Sequence, residues 1–220
     1  MFFLPIGSLI FVAFIIFLPL LFILGYFQVI TWGFESLGLS PMTTLVIFSC
    51  ILLGSAINIP IGRPKLFYTQ KTRFFGLWKT PKIEAQGLAI NLGGALIPIC
   101  LSIYFLFTIL RGGYNLQPVL IATLIMMIMA RLISRVVPGV GIKIPVLFPP
   151  IFSAILAMIL APEYPAVCAF VSGTIGVLFG ADLLNLPRVM KTGGFISIGG
   201  AGVFDGIFLV GIASALLAGF

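Results

Sequence analysis

The stretch SIGGAGVFDGIFLVG, from Ser197 to Gly211, places one carboxylate, Asp205, among five glycines and a run of apolar residues. The whole chain has only five acidic residues. A carboxylate deep in a membrane costs at least about 2.5–3.5 kcal/mol on insertion scales, and such residues mostly face a cavity or a functional path. The stretch therefore predicts a membrane helix that carries a functional group.

The composition of the rest of the chain agrees with a membrane protein. Of the 220 residues, 61% are hydrophobic and 8% are charged, whereas a soluble domain is about one quarter charged. We expect one integral membrane domain over residues 1–220, with an all-α fold. We expect the first apolar run to be the first membrane helix and not a cleavable signal sequence, because no short basic region and small-residue cleavage site accompany it.

Seven segments are apolar over the roughly 20 residues that a spanning helix needs. They cover residues 6–29, 41–59, 88–110, 117–136, 145–161, 165–184 and 198–218. With a cytoplasmic N-terminus, every Lys and Arg except Arg111 falls on the cytoplasmic side. The positive-inside bias therefore predicts a multi-pass protein of the cell membrane, with its N-terminus inside and its C-terminus outside.

The predicted cytoplasmic loop 60–87 mixes basic and aromatic residues, as in KLFYTQKTRFFGLW (Lys65–Trp78). Such a mixture stacks on nucleic acid in some proteins. Beside a membrane it is more typical of contact with lipid headgroups, so we predict lipids and not nucleic acid as its partner. The alternation of residue types also leaves room for a short hairpin in this loop.

Some chemistry is excluded by residue types. The chain has no histidine, which rules out Ser-His and Cys-His nucleophile pairs and zinc sites of the HExxH type. Its three cysteines lie in separate apolar runs and form no CxxC pair. We therefore predict no metal site and no cofactor, and acid–base chemistry falls to Asp, Glu, Lys, Tyr or Cys.

Four segments near the predicted cytoplasmic helix ends combine polar residues with Gly or Pro. They are SAINIP (Ser55–Pro60), AINLGGALIP (Ala89–Pro98), VPGVGIKIPVLFPP (Val137–Pro150) and GADLLNLP (Gly180–Pro187). Broken backbone in a membrane is tolerated where it is buried in protein or lines water. We predict that the segments converge on a cytoplasm-facing pocket lined by Asn58, Asn91, Asn185, Pro149 and Pro150. The alternative is that Pro and Gly are simply common in membrane helices.

Asp182 and Asp205 lie on consecutive predicted spans joined by a cytoplasmic loop, so they can approach each other. Two carboxyl groups that share a site hold one proton between them, which is the apparatus of aspartic peptide hydrolysis. The alternatives are an ion pair of Asp182 with Arg188, and a protonated Asp205 that hydrogen-bonds across helices.

Glycines accompany both aspartates. Gly173, Gly176 and Gly180 form a stripe on the sixth span, and Gly199, Gly200, Gly202 and Gly206 surround Asp205. Small residues at such spacings let helices approach closely. They serve a catalytic pair and ordinary packing equally well, so the stripe does not distinguish the two.

The stretches GTIGVLFGADLLNL (Gly173–Leu186) and SIGGAGVFDGIFLVGI (Ser197–Ile212) resemble a prokaryotic membrane family known as domain of unknown function 1614. The Asn58 and Asn91 elements and the pair Pro149–Pro150 fit the same pattern. The resemblance covers nearly the whole chain. It implies a small multi-pass protein and no particular activity.

A weaker resemblance is to intramembrane aspartyl proteases of the presenilin and prepilin-peptidase types. It rests mainly on topology, because the presenilin type carries its two aspartates on spans six and seven of a chain with a cytoplasmic N-terminus. GADLLNLP also looks like the first aspartate motif of the prepilin peptidases, and GAGVFDG stands where those enzymes have GxGD. The resemblance implies catalytic roles for Asp182 and Asp205. Phe204 replaces the last motif glycine, no Tyr precedes Asp182, and the presenilin PAL element has no counterpart.

These observations give three hypotheses. The first is an intramembrane di-aspartyl hydrolase that acts on a transmembrane peptide. The second is a transporter of a small solute or ion, built on broken helices with polar residues near the membrane midplane. The third is a membrane scaffold without chemistry of its own. The sequence leaves the oligomeric state open.

Overall fold

The fold was examined in a computed structural model of the chain. The structure describes residues 15, 18, 24–25, 27–73, 78–137, 141–190, 195–200 and 206–219. Most of the described residues are helical. The helices are α1 (described over 27–35), α2 (Pro41–Ser55), α3 (Ile97–Arg111), α4 (Gln117–Ile133), α5 (Phe148–Leu160), α6 (Pro165–Val177), α7 (Leu186–Met190) and α8 (Gly206–Ala218).

Two π-helical segments extend the long helices. Leu92–Leu96 leads directly into α3, and Leu178–Leu183 continues α6 toward α7. The strands are β1 (Asn58–Arg73), β2 (Trp78–Asn91), β3 (Arg135–Val137), β4 (Gly141–Lys143) and β5 (Phe195–Ile198). The expectation of an all-α chain is thus corrected: a helical majority is confirmed, and two small sheets are added to it.

The larger sheet has the order β1-β2-β5. Strands β1 and β2 form an antiparallel hairpin in which Asn58 pairs with Asn91 at one end and Arg73 with Trp78 at the other. The hairpin expected within loop 60–87 therefore exists and is longer than predicted. Its register shifts after Ile61, next to Gly62, whose positive φ of 79° suits glycine.

The third span was predicted to start at residue 88, and this start is wrong because β2 extends to Asn91. Residues Leu88–Ile90 pair with β1 on one side and with β5, in parallel, on the other. Their backbone hydrogen bonds are thus made between strands, and the helix begins only at Leu92. The predicted seventh span, 198–218, is corrected in the same way, because Ile198 is the last residue of β5.

Helix α6 is the central helix of the bundle. It contacts α3, α4, α5 and α8, and most of its residues are buried. Phe170 at its middle is fully buried and packs edge-to-face on Phe105 of α3, with ring centroids 5.2 Å apart. An apolar helix that is buried on all sides is typical of the core of a bundle.

The glycine stripe of α6 serves two different neighbours. A Cβ at Gly173 would lie 2.8 Å from Ser214 Oγ of α8. A Cβ at Gly176 would lie 2.6 Å from Met126 Cγ of α4, and a Cβ at Gly180 would lie 2.2 Å from a carbonyl oxygen of α4. The glycines thus allow close approach of neighbouring helices, but of these three only Gly173 contacts α8, and Gly180 lies in the π-helical segment after α6.

Two helices of the described part are long and apolar enough to cross a membrane, Leu92–Arg111 and Pro165–Met190. Large apolar side chains are also exposed on shorter helices, such as Leu53, Leu132 and Ile159, each at least 70% exposed. Both features indicate association with a membrane. The seven spans and their orientation stay predictions, and the first predicted span lies mostly outside the described residues.

Gly93→Ala is expected to destabilise the contact between α2 and the Leu92–Leu96 segment. The added Cβ would lie 2.1 Å from the carbonyl oxygen of Ile51 and 2.4 Å from the amide nitrogen of Ser55. Because backbone atoms must move to admit it, we expect a loss of about 1–3 kcal/mol of unfolding free energy, measured by thermal unfolding in detergent.

The matched control is Gly25→Ala, because Gly25 is also helical and has no atom within 4 Å of an added Cβ. Alanine is the better helix former, so this variant is expected to keep or slightly raise the unfolding temperature. Equal effects of the two substitutions would contradict the close contact at Gly93.

Candidate functional site

Asn91 organises a set of polar groups at the end of the larger sheet. Its side chain is 3% exposed and forms three hydrogen bonds with neighbouring groups. Nδ2 donates to the carbonyl oxygen of Ser55 at 2.7 Å and to Asn58 Oδ1 at 3.1 Å, while Oδ1 accepts from the Gly94 amide at 2.7 Å. Asn91 therefore ties the end of α2, the hairpin and the start of the Leu92–Leu96 segment together.

Asn58 connects this set to β5. Its Oδ1 also accepts a hydrogen bond from Ser197 Oγ at 2.5 Å. A Cβ at Gly200 would lie 2.3 Å from Ser197 Oγ and 3.3 Å from Asn58 Oδ1. The backbone of Gly200 thus packs directly against the Ser197–Asn58 hydrogen bond, and a larger residue at this position would displace the Ser197 side chain.

Asp182 lies on the π-helical segment Leu178–Leu183 and is half-buried. The Gly199 amide donates to its Oδ2 at 2.9 Å. Gly199 has a φ of 69°, and a Cβ there would lie 2.6 Å from Ala95 Cβ. Glycine is therefore required both by the backbone conformation and by the approach of the Leu92–Leu96 segment. We call Asn58, Asn91, Asp182, Ser197 and Gly199 the polar junction.

Apolar packing holds the same elements together beneath the polar groups. One buried cluster joins Ala95 before α3, Ala181 next to Asp182, Ile198 of β5 and Val210 of α8. Strand β2 also contributes to this cluster, through the partly buried Leu88 and Ile90. The position of Asp182 relative to β5 is therefore fixed by packing as well as by its hydrogen bond.

Asn185 occupies a separate site. It is 1% exposed, and its Nδ2 donates to Ser134 Oγ at 2.7 Å and to the carbonyl oxygen of Ala181 at 2.8 Å. These bonds attach the end of α4 to the turn between the π-helical segment and α7. Arg188, the alternative partner of Asp182, forms no ion pair with it among the described residues.

Pro149 and Pro150 begin α5 and belong to a third group of polar contacts. Their carbonyl oxygens accept from Ser153 Oγ, at 2.7 and 3.2 Å, and Ser153 Oγ lies 2.5 Å from Ser214 Oγ of α8. The predicted pocket is therefore divided: the structure joins Asn58, Asn91, Asp182, Gly199 and Gly200, and it gives Asn185 and the prolines other partners.

Three predicted site residues lie, in the sequence, at the start of α8 or just before it. Asp205 and Gly202 lie outside the described residues, and Gly206 is the first residue of α8. Ser197 is a site residue that sequence reasoning missed, because it directly precedes the predicted span 198–218 and was assigned to a loop. The signal was present in FISI, where two β-branched isoleucines alternate with other residues, as is typical of a strand.

The chemistry available at the polar junction is that of one carboxylate with a fixed orientation. Oδ2 of Asp182 is held by the Gly199 amide, and Oδ1 has no hydrogen-bond partner in the described part of the chain. No group of three His, Cys, Asp or Glu side chains among the described residues could hold a metal ion. The site suits proton transfer or hydrogen bonding to a ligand.

The fold and the polar junction define a mostly helical, strongly apolar protein in which a small sheet meets two long helices that contain π-helical segments. The model of the family described as "Protein of unknown function (DUF1614)" matches residues 52–217. The chain belongs to this family, which confirms the resemblance carried by its C-terminal motifs. No curated protein and no solved structure matches the chain.

Asn91→Ala is expected to destabilise the protein by at least about 2 kcal/mol, because it leaves several buried polar groups without partners and each costs about 1–3 kcal/mol. Thermal unfolding in detergent measures this loss. The control is Asn115→Ala, which removes an exposed side chain that accepts only from the Gln117 amide and should cost less than about 1 kcal/mol. Equal costs would show that Asn91 does not organise the junction.

Proposed function

We propose that the protein is an intramembrane di-aspartyl hydrolase of the cell membrane, in which Asp182 and Asp205 act as a pair on a transmembrane peptide. The observation that carries the proposal is the hydrogen bond from the Gly199 amide to Asp182 Oδ2, 2.9 Å long. It fixes the chain that leads to Asp205 against the segment that bears Asp182.

The chain that follows Asp205 supports the same pairing. Gly206, to which Asp205 is covalently bonded, begins α8, and Val210 of α8 packs in one buried cluster with Ala181. Gly199, six residues before Asp205, and Val210, five residues after it, thus both lie in the neighbourhood of Asp182. This arrangement favours a shared site over two independent carboxylates.

In the proposed reaction, one carboxylate takes a proton from water, and the resulting hydroxide equivalent attacks the peptide carbonyl carbon. The other carboxyl group, protonated at that stage, gives its proton to the carbonyl oxygen. Collapse of the tetrahedral intermediate breaks the C–N bond. The leaving amine takes the proton that the first carboxylate received from water, and one hydroxyl of the intermediate gives its proton to the second carboxylate, which restores the singly protonated pair. The Gly199 amide orients Asp182 so that Oδ1 is left to receive the proton from water.

The location of the site follows from the charge distribution. The positive-inside bias assigns the Asp182–Ser197 connection to the cytoplasmic side, so the proposed active site opens toward the cytoplasm. The basic and aromatic residues of the hairpin would then contact lipid headgroups. The surrounding lipid would deliver a single-span substrate laterally.

A transporter of a small solute or ion is the second candidate. The observation that favours it is that both long apolar helices contain a π-helical segment where they meet the polar junction, at the start of one and within the other, and π-helical turns are frequent at functional sites. The two functions differ in one requirement. Hydrolysis proceeds in detergent, whereas transport needs a sealed compartment.

Asp182→Asn and Asp205→Asn are each expected to lower peptide cleavage at least 1,000-fold, because each removes one member of a pair that acts as a unit. The measurement is mass spectrometry of a panel of single-span peptides incubated with the protein in detergent. Stability should stay close to that of the wild type, since Asn keeps the size of the side chain.

Glu163→Gln serves as the control, because Glu163 is an exposed carboxylate in the turn before α6. It should cleave like the wild type. Wild-type cleavage that persists in either Asp variant, or a wild-type protein that cleaves no peptide of the panel, would overturn the proposal.

A further inference from the structure

A cavity of about 290 Å³ lies where the end of α1 meets the end of α8. It is lined by Trp32, Glu35, Ser36, Leu216 and Gly219. Its volume is near the lower end of the range for small-molecule sites, roughly 300–1,000 Å³. It is separate from the polar junction, and nothing in the proposed hydrolysis uses it.

The frame of this cavity is built by close helix contact. A Cβ at Gly33 would lie 2.8 Å from Ile212 Cγ2, and a Cβ at Gly219 would lie 2.6 Å from Ser36 Cβ. Ser36 Oγ donates to the Gly33 carbonyl at 2.7 Å and to the Ala215 carbonyl at 3.3 Å. Because both helices are held at these points, the cavity between them is preformed.

The polar character of the cavity favours a cation. Glu35 contributes a carboxylate, and no cation of the described part of the chain pairs with it. The C-terminal ends of α1 and α8 both meet here, and a helix C-terminus carries a partial negative charge of about −0.5. All the charge identified at the cavity is therefore negative.

The aromatic wall of the cavity points to an organic cation. Trp32 is 47% exposed and precedes Glu35 by three residues, so both side chains lie on the same face of α1. An indole face attracts ammonium groups, and the combination of aromatic rings with a carboxylate is the usual way to recognise them. An apolar wall, to which Leu216 contributes, suits the alkyl substituents of such a ligand.

We propose that this cavity is a binding site for a small organic ammonium ion, with Glu35 as its counter-charge and Trp32 as its aromatic contact. The ammonium group can belong to a lipid headgroup or to a free solute, since the chemistry of recognition is the same. The proposal is independent of the proposed hydrolase function.

The test uses tetramethylammonium chloride as the probe and the fluorescence of Trp32 as the signal. Trp78→Phe removes the other tryptophan of the chain. Titration of this protein in uncharged detergent, against sodium chloride at equal ionic strength, should give a saturable change. Glu35→Gln should weaken the apparent affinity at least tenfold, and Glu163→Gln should leave it unchanged. Calorimetric titration needs no fluorescent signal, so it compares Glu35→Gln and Glu163→Gln with the wild type in protein that retains Trp78.

Nanodiscs distinguish the two sources of the ammonium group. If a lipid headgroup occupies the site, phosphatidylethanolamine nanodiscs should weaken probe binding at least tenfold relative to nanodiscs of digalactosyldiacylglycerol, a lipid that has no ammonium group and no net charge. If the ligand is a free solute, the two compositions should give the same affinity. The absence of saturable binding, or equal affinity of Glu35→Gln and the wild type, would overturn the proposal.

Discussion

The hydrogen bond between the Gly199 amide and Asp182 Oδ2 connects the two halves of the site. It joins the end of β5 to the π-helical continuation of α6, the central helix of the bundle. Gly199 makes the bond possible because it adopts a positive φ and leaves room for Ala95. Without it, the segment that leads to Asp205 would be tied to Asp182 only through apolar packing.

In a strongly apolar protein, the backbone amide and carbonyl groups at the end of a small sheet need hydrogen-bond partners, since unpaired groups are costly away from water. The polar junction provides these partners. Asn91 bonds to the backbone of Ser55 and Gly94, and β2 is paired along both edges at Leu88–Ile90. One long helix can therefore begin directly after β2, and the other can pass into a turn after Leu183, close to the apolar core.

The sequence predicted the helical majority, the family and five members of the joined site, because polar residues beside Gly and Pro mark broken backbone. It did not predict β5 or the long extent of β2. Residues 88–90 are apolar and are predicted to start a helix, and residues 195–197 are predicted to lie in a loop. The two segments are distant in the chain, so only their pairing, as of Ala89 with Ser197, identifies them as strands. Asn185 and Pro149–Pro150 were assigned to the pocket by composition alone, which cannot tell which neighbouring helix a side chain contacts.

The proposed hydrolase requires that Asp182 and Asp205 form one pair. Its most direct test is an experimental structure of the protein in a lipid nanodisc that measures the separation of the two carboxyl groups. We expect a direct hydrogen bond or one bridging water between the two carboxyl groups, with oxygens at most roughly 6 Å apart. Carboxyl groups farther apart than one water can bridge would contradict it, and Asp182 would then be an anchor for β5 alone.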